Sequence, residues 1–243
     1  MTAHLPDVGW LPAAVLRPAT ANVFETTVEQ LATAIRLGVF VDGEQLPPER
    51  ELSERLGVAR NTLRDAIAAL RDSGLVTTRR GRGGGTVVTY TTPEPGSSAA
   101  PPVRRGAALA DALGFRRIVE PGAAWLAARQ ELAGDQRAWL VSSATAVREA
   151  SDTGAHRIAD SRFHLAVATL SASPMVIESV TRAQAALGEM LAAIPVLPRN
   201  ITHSCEQHDA VVAAILAGDA DAARAAMEEH CDATSALLRG LLG

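Results

Sequence analysis

Residues 91–106, TTPEPGSSAAPPVRRG, are dominated by Pro, Ser, Ala and Gly and carry no hydrophobic periodicity. Such a stretch cannot bury a face and reads as a linker. It divides the 243-residue chain into two parts, each of which must close its own core. The two parts are written differently: helical stripes followed by β-prone runs come before the linker, and only helical stripes come after it.

In the first part, Val23, Phe24, Val28, Leu31 and Ile35 recur at helical steps. GVFVDGEQLPPE then breaks the pattern, and Pro48 can open a helix whose first turn favours Glu49 and Glu51. That helix closes at Gly57, and a second runs from Arg60 to Asp72 with Leu63, Ile67 and Leu70 inward, ending at Gly74. Two β-prone runs, LVTT and TVVTY, flank RRGRGGG. They predict a hairpin with an arginine- and glycine-rich tip, too small to stand without the helices. Three helices and a hairpin predict a winged helix-turn-helix over residues 20–90.

The second part, residues 107–243, predicts an all-α helical bundle. Helical patterns fall at 107–130, 135–151, 156–170, 174–194, 201–217 and 219–241, separated by Gly134, Gly154, Pro174, Pro195, Pro198 and Gly218. Pro121 lies inside the first of these, which is expected to kink or break near Val119. In DSRFH, Asp160 and His164 share one helical face. They are either an ordinary surface pair or two metal ligands whose partners lie elsewhere in the chain.

The charge is unevenly placed. The chain has a formal net charge of -4, yet residues 55–82 hold seven Arg against Asp65 and Asp72, while residues 91–243 hold 13 Arg against 17 acids. A compact basic stretch beside an acidic remainder is the footprint of a small DNA-reading module attached to something else. No apolar run approaches a membrane span, and MTAHLPDVGWLPAAVL does not read as a secretory signal, so a cytoplasmic protein is expected. Cys205 and Cys231 are accordingly read as free thiols.

LPPERELSERLGVARNTLRDAIAALRDSGLVTTRRGRGGGTVV resembles the GntR family of bacterial transcription regulators, and within it the FadR subfamily. The turn at LGVA lets the 60–72 helix enter a major groove by its N-terminal end, bringing Arg60, Asn61, Thr62 and Arg64 to base edges and phosphates. The resemblance implies Arg50, Arg60 and Arg64 as the principal DNA contacts, with Asn61 and Thr62 assisting and the wing tip Arg82, Gly83, Gly84 and Gly85 in the minor groove or along the backbone. Arg55 and Arg71 are better read as solvated partners of nearby acids. Ala59 stands where the family usually has Ser, and Asp65 where it usually has Glu; the missing hydroxyl removes one possible cap or phosphate bond, so a modest weakening of DNA binding, not its loss, is expected.

RRIVEPGAAWLAAR (116–129), DSRFHLAV (160–167) and HDAVVAAILAGDADAARAAMEEH (208–230) resemble the FCD effector-binding domain of the same subfamily. Many of its members hold a divalent metal with one Asp and three His, and the matching positions are Asp160, His164, His208 and His230. The spacing agrees. His208 lies ten residues before Gly218 and His230 twelve after it, so helices folding back there carry both rings about 15 to 18 Å from the turn. Zinc, nickel, iron and manganese all suit such ligands. His4, His156 and His203 are read as ordinary histidines.

In the family a small organic acid docks on the metal, and Arg116 matches a pocket-facing position, with Arg117 as its rival and a surface salt bridge to Glu120 as the simpler reading. SASP at 171–174 replaces the SGNP of many relatives and is expected to alter the pocket rim. The expectation is a homodimeric regulator, most simply a repressor, that reads a palindromic operator in double-stranded DNA and responds to a small carboxylate. The rival is a metal-dependent enzyme acting on a small carboxylate and fused to a DNA-targeting module. The chain offers no HExxH helix, nucleophile elbow or obvious acid and base pair, which favours binding over chemistry.

Overall fold

The structure, a computed structural model, describes residues 23–79, 84–91, 104–195 and 197–242. The first part comprises α1 (Val23–Arg36), α2 (Glu49–Leu56), α3 (Arg60–Asp72) and an antiparallel hairpin of β1 (Val76–Arg79) and β2 (Gly85–Val88). Helix α1 buries Leu31, Ala32 and Ile35. It ends in a Schellman motif, with Val39 N–H donating to the Ala34 carbonyl and Gly38 N–H to that of Ile35. Gly38 takes the left-handed conformation this needs, at φ 71°. The hairpin register pairs Val76 with Val88 and Arg79 with Gly85. Residues 43–46 add a short outer edge, with Leu46 N–H donating to Thr86 and Val88 N–H to Glu44. Leu31, Ile35, Leu46, Leu52, Leu63, Ile67, Leu70, Leu75, Val76 and Val88 form one core under this winged helix-turn-helix. Each such side chain contributes roughly 1.5–3 kcal/mol relative to exposure.

The second part is helical throughout: α4 (Gly106–Ala128), α5 (Gly134–Arg148), α6 (Thr153–Leu170), α7 (Pro174–Ala192), α8 (Pro198–Ala217) and α9 (Ala220–Leu242). Helix α4 is the shared element, packing on α6, α7, α8 and α9. It is not broken at Pro121 but continues to Ala128. Proline there removes one backbone hydrogen bond, and burial of Pro121 with Glu120, Ala123, Ala124 and Ala127 holds the helix through it. Gly218, at φ 73°, turns α8 back into α9.

Of the predicted linker, 91–106, only residues 91 and 104–106 are described. Arg104 reaches Glu189 at 3.3 Å and Arg105 donates to the Leu242 carbonyl, so both belong to the bundle, while 92–103 lie outside the described residues. Among the described residues the halves meet lightly: Gly38 packs on Ile158 and Arg162 of α6, beside an open cleft of about 890 Å³ lined by Val39, Tyr90, Trp139 and Arg162. Among the described residues, no helix is long and apolar enough to cross a membrane.

Candidate metal centre and DNA-reading surface

Asp160 and His164 lie one turn apart on α6, with Asp152 capping the helix by accepting a hydrogen bond from Ala155 N–H. Helix α8 delivers Gln207 and His208, and α9 delivers His230, from either side of the Gly218 turn. The His208 and His230 ring centroids are 4.6 Å apart, and those of His164 and His230 are 5.0 Å apart. The turn geometry thus does bring the two distant histidines level. Each of His164, His208 and His230 offers a nitrogen, the three within 4.8 Å of one another. Asp160 faces two of them, its carboxylate 3.5 Å from His208 Nε2 and 4.0 Å from His164 Nε2. All three rings are buried, and the Asp160 side chain is 13% exposed.

A second layer surrounds these groups. Glu120 Oε2 lies 3.0 Å from His164 Nδ1, accepts a hydrogen bond from Arg116 Nε at 3.0 Å and receives the Cys231 thiol at 3.6 Å. Gln184 Nε2 donates to the other oxygen at 2.6 Å, and Gln207 Oε1 sits 3.2 Å from His230 Nδ1. Among the described residues, every buried side-chain nitrogen or oxygen without an aligned hydrogen-bond partner belongs to this one centre. They are Arg116 Nη1 and Nη2, both ring nitrogens of His164 and of His208, Gln184 Oε1 and Gln207 Nε2. Leaving so many polar atoms unpaired costs about 1–3 kcal/mol each. Fold stability alone would not assemble them.

Burial pushes the His208 pKa down to about 3, against the pull of Asp160. Burial, then His208 and His164, hold His230 well below the usual value. Both rings are therefore neutral at pH 7, the form whose lone pair binds a metal. Burial alone would raise the Glu120 pKa, but Arg116 and His164 outweigh it and keep the carboxyl below the usual range. Burial works against the Arg116 charge, and the Glu120 carboxylate beside it preserves it.

Beside the centre lies a narrow cavity of about 60 Å³. Asp160, His230, Arg116, Ser204 and Thr234 form one part of its wall, and Leu187, Leu191, Ile194 and Leu237 another. Arg116, not Arg117, faces it, because Arg117 turns outward to Glu228 and Asp232. The Arg116 pair with Glu120 exists, but it is wholly buried and no surface bridge. The SASP turn does not line this cavity; its consequence is local, since Ala172 stands at φ 56°, a region that favours glycine. Nothing in the sequence marks Gln184 or Gln207 as neighbours of the histidines. Their only signal is position: Gln207 precedes His208, and Gln184 sits on the inner face of α7.

On the winged half, Arg60, Asn61 and Arg64 are exposed at the start of α3, and Thr62 is half-buried. No side chain caps this helix at Ala59, as the missing hydroxyl implied. Arg50 pairs with Glu54 at 3.4 Å and Arg64 with Glu49 at 2.8 Å, both in solvent. Exposed pairs of this kind are worth about 0–1 kcal/mol and can yield to phosphates. Arg55 pairs with Glu51, as the solvated reading expected. Arg82 and Gly83 lie outside the described residues. Gly84 and Gly85 border the tip, where the bare Gly85 Cα leaves room for the Gln45 side chain.

Comparison with known proteins agrees with both halves. Residues 24–88 match the model described as bacterial regulatory proteins, gntR family, and residues 111–233 match that of the FCD domain. The chain is 34% identical over 200 residues to a putative L-lactate dehydrogenase operon regulatory protein of Escherichia coli (strain K12), covering 77% of this chain and 75% of that one. It is 29% identical over 237 residues to the HTH-type transcriptional repressor NanR of Salmonella newport (strain SL254), covering 92% and 88%. Among solved structures, E. coli McbR/YncC covers 92% of this chain and 100% of its own at a TM-score of 0.56 and 18% identity, a likeness of fold.

Proposed function

The chain belongs to the gntR family of bacterial regulatory proteins, with an FCD domain as its helical half, and we propose that it is a ligand-responsive repressor sensing a small organic acid at a metal-containing pocket. Its relatives are named as a regulatory protein and a transcriptional repressor, so it is read as a transcription regulator and the enzymatic reading is set aside. The working division is DNA reading by 20–90, a linker at 91–106, and sensing and dimerisation by 107–243, in the cytoplasm.

One observation carries the metal reading: among the described residues, the unpaired buried polar atoms all gather around one set of three histidines. Asp160, His164, His208 and His230 would hold a divalent ion; zinc, nickel, iron and manganese all suit three neutral imidazoles and a carboxylate. Bound there, the ion supplies a Lewis-acidic position on which a carboxylate can dock. The unpaired Arg116 Nη1 and Nη2 offer that carboxylate a buried fork, suited to two parallel hydrogen bonds. The name of the Escherichia coli relative, a lactate operon regulator, supports a small acid.

Arg50, Arg60, Asn61, Thr62 and Arg64, with the wing from Arg82 to Gly85, would read one half of a palindromic operator, and a homodimer would read both. Exposed Phe115 and Ile118 on α4 and Met175 on α7, 38%, 74% and 80% accessible, support a partner surface on that side of the bundle. The effector shifts the population of domain placements, with a coupling of about 1–3 kcal/mol or 5–150-fold in DNA affinity. Elemental analysis of full-length protein tests the reading. We expect close to one transition metal per chain, lost in His208→Ala and His230→Ala. Full retention of metal by both variants, or none in wild type after reconstitution, refutes it.

A further inference from the structure

We propose that Glu120 is the positioning residue of this centre, one buried carboxylate that sets His164 for metal binding and aims the free end of Arg116 at the cavity. The inference rests on the metal reading above and adds a residue that no ligand pattern assigns. Glu120 is 1% exposed, and its two oxygens meet groups from four helices: Arg116 of α4 itself, His164 of α6, Gln184 of α7 and Cys231 of α9.

A buried ion pair is a poor way to stabilise a bundle. Replacing one with apolar side chains of similar volume is often neutral or favourable. What Glu120 does provide is direction. By taking Arg116 through Nε alone it leaves Nη1 and Nη2 unpaired on a side chain that lines the cavity. By standing 3.0 Å from His164 Nδ1 it favours the proton on that nitrogen, leaving the Nε2 lone pair toward Asp160 and the other rings. Carboxylates behind metal-bound histidines act this way, and their loss typically costs 10–100-fold in metal affinity. The His164 contact is close but not aligned for a hydrogen bond in this structure. Gln184 and Cys231 hold the carboxylate from the other directions, so it stays in place while the ring adjusts.

The test uses full-length protein and zinc as the probe. Imidazole ¹⁵N spectra of metal-free wild type should show His164 with its proton on Nδ1. Glu120→Gln, which keeps shape and removes charge, should lose that preference and bind zinc 10–100-fold more weakly in a chelator competition. Glu120→Asp, which keeps the charge, should fall between the two, and it stands in for Glu120→Gln if that variant does not fold. Zinc affinity unchanged in the substituted protein, or a wild-type His164 protonated on Nε2, overturns the proposal. Absence of zinc binding in wild type would instead refute the metal reading, and the metal-free spectra would still decide whether Glu120 orients His164.

Discussion

Replacing Gly38 with alanine tests how the DNA-reading half sits on the sensing half. Two separate costs follow from the structure. The first is local: Gly38 stands at φ 71°, and a side chain in that region costs about 1–2 kcal/mol. The second is tertiary: an added Cβ would lie 2.3 Å from Ile158 Cγ2, about 1 Å inside ordinary contact. Overpacking of this kind costs about 1–3 kcal/mol when the neighbours must hold their places. The contact between the halves is small, so separation is the easier relief, and the second cost cannot exceed the energy of docking.

A double-mutant cycle separates the two. Ile158→Ala removes the clashing methyl and leaves the backbone cost untouched. Urea unfolding followed by intrinsic tryptophan fluorescence, to which Trp139 at the adjoining cleft contributes, should show Gly38→Ala losing about 2–5 kcal/mol in the wild-type background and about 1–2 kcal/mol beside Ile158→Ala. Equal losses in both backgrounds would show that Gly38 does not rest on α6. A loss near zero in both would refute the backbone argument as well.

Ala172, at φ 56° on the turn into α7, is the converse case: Ala172→Gly should stabilise the protein by about 1 kcal/mol, read as a raised urea midpoint with an unchanged slope. Arg60→Ala and Arg64→Ala should each abolish specific binding to an operator selected from a random duplex library, at physiological salt and with the melting temperature kept; near-unchanged footprints would contradict the groove assignment. Burial raises the thiol pKa of Cys205 and Cys231, so both stay protonated at pH 7–8 and should resist iodoacetamide until the protein is unfolded. Rapid labelling of Cys231 in the native state would contradict its burial. Ile158→Ala should leave zinc affinity unchanged while shrinking the difference in operator affinity between zinc-loaded and metal-stripped protein to under about twofold, where the coupling range otherwise allows 5–150-fold.

Secondary structure was largely legible because its signals are local. Helix α3 occupies 60–72 as its stripe of Leu63, Ile67 and Leu70 indicates, and Gly57, Gly74 and Gly218 stop helices where a left-handed residue is needed. The histidines converge because their distances from Gly218 match, a fact of helix rise alone. What failed or stayed open depends on tertiary packing. Arg116 and Glu120 at a four-residue spacing look like a solvated pair, and only the stacking of α6, α7 and α9 over that face of α4 makes them interior. Arg116 and Arg117 differ by about 100° on the helix, and sequence cannot choose between them until the neighbours are placed. Pro121 misleads for the same reason, since a local rule predicts a break that burial on both sides of it suppresses.

Helix α6 is where the two halves become one device. Asp160 and His164 occupy one face, while Ile158 and Arg162, each two residues away and therefore about 200° around the helix, meet Gly38. A rigid helix cannot move one face without the other, so under the proposed mechanism an adjustment at the histidines would be delivered to the end of α1. The smallness of that contact is an advantage to a switch. A large apolar interface would fix the winged half against any ligand, whereas a contact worth only a few kcal/mol could be tipped by the coupling that the proposed small acid would provide. The adjoining cleft leaves the winged half free to move without first unpacking a core. Polar atoms left unpaired at the centre supply the complementary bias, because a ligand that pairs them gains affinity only in the placement of α6 where all of them can be reached.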